Sequence, residues 1–206
     1  MFDAPIRKRI DPMLDRFARI LGTCGLNANL VTIGGFVIGM GGCLAIVYHH
    51  YLLALVLIAC NRIADGLDGS LARRTGATDL GGFLDIVLDT IFYSAVPFAF
   101  AIAHPEYWLP AMFLIYSFVG TGGSFLAYAI IAEKRKHTSA IQQKKSFFYS
   151  VGLMEGTETI LFFVLFCIFP AEFPTLAWVF GSLCWLTTIL RILNGWRTFR
   201  IFSEGH

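Results

Sequence analysis

The chain has 206 residues, of which 56% are hydrophobic and 15% charged, with 20 Gly, 20 Phe and 7 Pro. Soluble domains carry about 25% charged residues, so this composition and a mean hydropathy of +0.67 argue against a soluble globule and exclude a disordered chain, a collagen-like chain and a disulfide-knotted secreted module. The net charge of +2 says nothing by itself; what is left is an all-α integral membrane protein with little mass outside the bilayer.

Residues 1–22 read as an amphipathic juxtamembrane segment. Ile6, Ile10, Leu14, Phe17 and Leu21 share one helical stripe, and Arg7, Lys8, Arg9, Arg16 and Arg19 supply a basic face. Such a helix lies in the interface on anionic headgroups. The first long apolar run starts only near Leu30, behind these charges, and is long enough to span, so no cleavable signal peptide is expected.

A spanning helix needs about 20 mostly apolar residues. In chain order the candidates are Asn29 to Tyr48, Tyr51 to about Leu71, Gly81 to Ala103, Trp108 to Ala132, about Val151 to Phe169 and about Thr175 to Leu193, six in all. These six make one domain over 23–200, followed by a tail at 201–206. Arg73 and Arg74, then Lys134, Arg135, Lys136, Lys144 and Lys145, then Arg191, Arg197 and Arg200 fall on the side of the N-terminal charges. The opposite loops, near His49, His104 and Pro170, carry no Lys or Arg. The positive-inside rule makes the basic side cytoplasmic, with both termini there. Arg62 alone departs from that side. The five Cys lie in or beside apolar segments without metal-ligand spacing and read as packing residues.

Charge inside a span is costly and marks function by default. Asp65 and Asp68 are three apart on the second helix, and Asp85 and Asp89 four apart on the third. Both spacings place the pair on one helix face. The two helices are consecutive and antiparallel, so the pairs can meet near the cytoplasmic boundary. Four close carboxylates need neutralising cations. An all-oxygen set suits Mg²⁺ or Mn²⁺, which also bind phosphate oxygens, and two such ions form a standard device of phosphoryl chemistry.

Asp65-x-x-Asp68-Gly69-x-x-Ala72-Arg73, seven residues, then Gly81-x-x-x-Asp85-x-x-x-Asp89 resembles the signature of the CDP-alcohol phosphotransferases. Asn29-Leu30-Val31-Thr32 echoes that family's Asn-x-x-Thr. The resemblance implies transfer of a phosphatidyl group from a CDP-alcohol, CDP-diacylglycerol above all, to an acceptor alcohol, with release of CMP. It assigns Asp65, Asp68, Asp85 and Asp89 to a two-ion metal site and makes Asp89 the general base; whether Asp89 also binds an ion is left open. It gives Arg73 a phosphate of the CDP moiety, leaves room for the nucleotide at Gly66, Gly69 and Ala72, and lets Asn29 and Thr32 contact it. It also implies a homodimer.

The acceptor is less legible. Lys134, Lys144, Lys145 and Arg191 can take an acceptor phosphate, with Arg191 the most costly to bury. Glu155 and Glu158 can take polyol hydroxyls or an amine, or pair with a base. The expected location is a bacterial inner membrane with the site facing the cytoplasm and lipid at its side; no nucleic-acid partner is expected. The rival reading is a cation transporter that uses the same carboxylates as ion ligands, for which Gly69, Ala72 and Arg73 would not need their fixed offsets.

Overall fold

The computed structural model describes residues 13–20, 27–136 and 156–200, all of them helix or short connection. A first helix, α1, runs over 13–20. It is followed by α2 (Ala28–Val47), α3 (Tyr51–Thr75), α4 (Asp79–Ala103), α5 (Trp108–Lys136), α6 (Gly156–Ile168) and α7 (Phe173–Arg200). Single 3-10 turns, Pro105–Tyr107 and Pro170–Glu172, lead into α5 and α7.

Local chemistry sets several boundaries. The Asn27 side chain caps α2 by accepting from the Asn29 N–H at 3.0 Å, and Thr78 caps α4 by accepting from the Gly81 N–H at 3.1 Å. Gly76 ends α3 at φ +102°, a conformation open to glycine. The link from α3 to α4 is thus only residues 76–78, which forces the two helices back alongside each other.

Four segments are long and apolar enough to cross a membrane: Ala28–Val47, Asp79–Ala103, Pro105–Lys134 and Pro170–Phe199. The sequence led us to expect six. The second half of α3 carries Arg62, Asp65, Asp68, Arg73 and Arg74, which lowers its hydropathy, and α6 has 13 described residues. All six expected helices exist, but two fall short of that criterion.

In α1, Leu14 and Ala18 turn toward the protein while Met13, Phe17 and Ile20 are exposed. The expected stripe put Leu14 and Phe17 together. Gly66 explains the rotation. A Cβ there would stand 2.7 Å from Leu14 Cδ1, so the bare glycine is the seat of Leu14. Ile6, Ile10 and Leu21 lie outside the described residues.

Helix α2 packs along both α3 and α4, α5 pairs with α7, and α3 touches α6. Glycines bring α2 close: a Cβ on Gly35 would meet the Ala64 Cβ at 2.7 Å, and one on Gly39 would meet the Phe92 ring at 2.9 Å. Lipid gives helices no hydrophobic reason to associate, so close backbone approach of this kind does the holding. Away from the acidic residues the core is aromatic. Phe100 stacks on Phe173 at 4.4 Å between centroids, and Phe162 on Phe180 at 4.3 Å. Beyond these rings, Tyr51 Oη hydrogen-bonds both His49 Nδ1 (3.0 Å) and His104 Nε2 (2.8 Å), closing the end opposite the carboxylates. Cys43, Cys167 and Cys184 are buried free thiols and Cys60 an exposed one; Cys24 lies outside the described residues.

Candidate active site

Asp65 and Asp68 sit in the second half of α3, and Asp85 and Asp89 in the first half of α4. The short link places these halves at the same end of the bundle. With Thr32 of α2 they line a single cavity. Asp65, Asp68 and Asp85 each offer one carboxylate oxygen, and the three oxygens lie within 4.8 Å of one another. Two oxygens bound to one Mg²⁺ or Ca²⁺-sized ion at 2.0–2.6 Å are at most about 4–5 Å apart, so the set can close on one cation. Asp68 is 6% exposed, and its Oδ2 is buried with no hydrogen-bond partner. A buried carboxylate oxygen without a donor is costly unless a cation answers it. Oxygen donors, mutual distance and the unanswered atom all fit a hard divalent ion.

Asp89 stands apart from that trio. Its Oδ1 accepts from Arg62 Nη2 at 2.6 Å and its Oδ2 from Arg62 Nη1 at 3.3 Å, the two-pronged pairing that a planar guanidinium makes with a carboxylate. Arg62 is only 13% exposed at its side chain. Its Nε donates to Asn61 Oδ1 (2.8 Å), its Nη1 also donates to Tyr93 Oη (2.9 Å), and Asp65 Oδ2 lies 3.6 Å from Nη1. The guanidinium carbon is 5.1 Å from the Phe92 ring centre and 5.2 Å from that of Tyr93. Asn61 in turn donates to the Gly35 carbonyl at 2.8 Å. One network therefore joins α2, α3 and α4.

Of the other expected residues that the structure describes, Thr32 lines that cavity and the rest lie outside its lining. Asn29 is half-buried with its Oδ1 over Gly81, where a Cβ would come within 2.9 Å. Thr32 donates its hydroxyl to the Ala28 carbonyl at 3.0 Å. Gly69 faces Arg73, whose Nη2 donates to Ser70 Oγ at 2.8 Å and lies 3.9 Å from Asp15 of α1. Ala72 is half-buried beside it, and Gly66 lies under Leu14. Lys134 is exposed near the end of α5, and Glu158 is buried in the first turn of α6. Arg191 is 6% exposed between α5 and α7, donating to the Thr121 carbonyl (2.8 Å) and to Ser124 Oγ (3.1 Å). Lys144, Lys145 and Glu155 lie outside the described residues.

Sequence reasoning passed over Asn61, Tyr93 and the pair Gly35 and Gly39. A signal existed for part of this. Gly35-x-x-x-Gly39 has the small-residue spacing of close helix pairs, and Arg62 was the one basic residue out of place.

The profile described as CDP-alcohol phosphatidyltransferase matches residues 25–192. The chain is 48% identical over 201 residues to the inner membrane protein YnjF of Escherichia coli, covering 97% of this chain and 98% of that one. It is 25% identical over 188 residues to the archaetidylinositol phosphate synthase of Pyrococcus horikoshii, covering 91% and 93%. Among solved structures, the phosphatidylinositol phosphate synthase of Mycobacterium tuberculosis with CDP-DAG bound shares the fold at a TM-score of 0.66 and 21% identity, over 90% of this chain and 94% of that one. The same enzyme in complex with manganese and citrate gives a TM-score of 0.63 at 21% identity, over 89% and 88%.

Proposed function

This chain belongs to the CDP-alcohol phosphatidyltransferase family, and from that premise we propose that it moves the phosphatidyl group of CDP-diacylglycerol onto the hydroxyl of a small alcohol and releases CMP. It is a CDP-alcohol phosphotransferase, a membrane transferase of phospholipid biosynthesis. The observation that carries the proposal is the Asp65, Asp68 and Asp85 trio with its unanswered, buried Asp68 oxygen, set beside a separate carboxylate on Asp89.

In this reading Asp65, Asp68 and Asp85 hold divalent metal, Mg²⁺ or Mn²⁺. The metal would neutralise the pyrophosphate and the departing CMP. Asp89 accepts the proton of the acceptor hydroxyl as that oxygen bonds to the phosphorus bearing the diacylglycerol, and the bond from that phosphorus to the CMP oxygen breaks. Arg73 donates to a phosphate of the CDP moiety, Asn29 and Thr32 reach it from α2, and Gly69 and Ala72 leave space beside it. Arg191, Lys134, Lys144 and Lys145 serve an acceptor phosphate, and Glu155 and Glu158 its hydroxyls. The protein spans the bacterial inner membrane several times, works as a homodimer and opens its site to the cytoplasm, where water-soluble CMP can leave while acyl chains stay in lipid.

The test is to incubate the purified protein in lipid nanodiscs with CDP-diacylglycerol, Mg²⁺ and a panel of alcohols: polyols, polyol phosphates and amino alcohols. CMP and a new phospholipid, detected by mass, are expected with at least one acceptor, and excess chelator should stop both. No CMP with any acceptor, or unchanged turnover in chelator, would overturn the proposal; uptake of a cation into sealed vesicles instead would point to transport.

A further inference from the structure

The end of the bundle away from the carboxylates carries two features that helix packing does not require. The first is His49. Helix α2 closes with the His49 N–H on the Ile46 carbonyl and the His50 N–H on the Ala45 carbonyl, both at 2.8 Å. That pattern puts His49 in the left-handed position usually held by glycine, and its φ is +61°. The turn has no need of an imidazole. A left-handed backbone at a residue with a Cβ carries strain of the kind that gathers at functional positions.

The second feature is what that imidazole meets. His49 Nδ1 lies 3.0 Å from Tyr51 Oη, and His104 Nε2 lies 2.8 Å from the same oxygen. The two imidazole rings stand edge to face at 5.0 Å between centroids. His104 Nδ1 is 3.4 Å from Glu106 Oε1. That carboxylate draws the ring proton to Nδ1 and leaves the Nε2 lone pair directed at Tyr51. Tyr51 then donates to His104, and His49 donates to Tyr51. A carboxylate behind the far nitrogen is the arrangement that orients most metal-ligating histidines. Tyr51 stacks on Phe100 at 5.9 Å and His104 on Tyr107 at 4.7 Å, which holds both rings in place. Donor atoms about 2.0–2.1 Å from a tetrahedral ion stand about 3.3–3.4 Å apart. The Tyr51 oxygen and the two nitrogens therefore need to open by only about half an ångström to admit one. His49 is exposed and His104 half-buried, so an ion can arrive from solution.

We propose that His49 Nδ1, His104 Nε2 and Tyr51 Oη form a binding site for a transition-metal ion of the Zn²⁺ or Cu²⁺ class, with Glu106 supporting His104 from behind. Imidazole nitrogens select such ions over Mg²⁺, so this site differs in chemistry from the all-oxygen cluster at the other end of the bundle. On binding, His49 moves its proton from Nδ1 to Nε2, Tyr51 gives its proton to solvent, and water completes the coordination. The ion ties the turn after α2 to the first residue of α3 and to the end of α4. The site stands apart from the proposed transfer reaction and does not rest on it.

The test is Cu²⁺ binding to the full-length protein in nanodiscs, with excess Mg²⁺ to fill oxygen sites and glycine to hold back weak surface binding. Up to one equivalent of Cu²⁺ should give an electron paramagnetic resonance spectrum split by two imidazole nitrogens, and Zn²⁺ should displace it. Glu106→Gln should weaken Cu²⁺ binding by about 10–100-fold. His49→Asn, which suits the left-handed backbone, and His104→Gln, which keeps a polar partner for Tyr51, each remove a ligand and should weaken it by more. His50→Gln should leave it unchanged. A wild-type spectrum without imidazole splitting would overturn the proposal, even should a variant fail to fold. So would a Cu²⁺ affinity unmoved by both His49→Asn and His104→Gln, because the nitrogens would then come from elsewhere and the cluster would be a hydrogen-bonded latch only. Neither result touches the transfer reaction, which is read by CMP release.

Discussion

Around Phe100, helices α4, α6 and α7 meet through aromatic rings: Phe100 is stacked on Phe173, and Phe166 stands edge-on to both. Around Asp68, α2, α3 and α4 meet through glycines, carboxylates and one guanidinium. The first region contributes packing alone. Its rings are fully buried, and each ring lost would leave a cavity. The second region keeps a buried oxygen unanswered and an ion pair partly exposed, features that cost stability and make sense only where a ligand repays them. Helix α4 belongs to both, so one helix is anchored by its aromatic half and carries Asp85 and Asp89 on the other.

The contrast can be broken most sharply at Asp89. Asp89→Asn should lower CMP release per folded molecule by about 10²–10⁴-fold, the usual range for losing a general base, with some stability lost because Arg62 no longer faces a carboxylate; full turnover per folded molecule in that variant would remove the proposed role. Phe100→Ala should do the reverse. It should cost about 3–5 kcal/mol of stability, seen as a lower midpoint of unfolding, with turnover per folded molecule retained at low temperature. Gly35→Ala comes next, because its new methyl would collide with the Ala64 Cβ next to Asp65. About 1–3 kcal/mol of lost stability, together with slower turnover, is expected from the shift of α3. The smallest effect should come from its neighbour: a Cβ on Gly34 would meet nothing within 4 Å, so Gly34→Ala should be neutral or gain up to about 1 kcal/mol from helix propensity. Equal losses for the two alanines would show that α2 does not approach α3 as described.

The helices were legible in the sequence because long apolar runs broken by short polar turns have few other solutions in a membrane. The expected segment Trp108 to Ala132 appears as Trp108–Lys136, and Gly81 to Ala103 as Asp79–Ala103. The spacings within each Asp pair were legible too, since a helix fixes what lies three or four residues on. The grouping of three with one set aside was not. It depends on how α3 and α4 are rotated about their axes, which Gly35 and Gly39 of α2 constrain through contacts more than 20 residues away in sequence. The pairing of Arg62 with Asp89 spans 27 positions and two helices, so no local rule could announce it. At the N-terminus, periodicity put Leu14 and Phe17 on one stripe but could not know that Gly66 would offer Leu14 a seat while Phe17 stays exposed.

Phe92 lies on the seam between the two regions, fully buried, with Arg62 over its face and Phe163 edge-on to it at 6.1 Å. One face of this ring meets a guanidinium and the neighbouring ring is Phe163, so the change from charged to apolar packing is made within a single side chain.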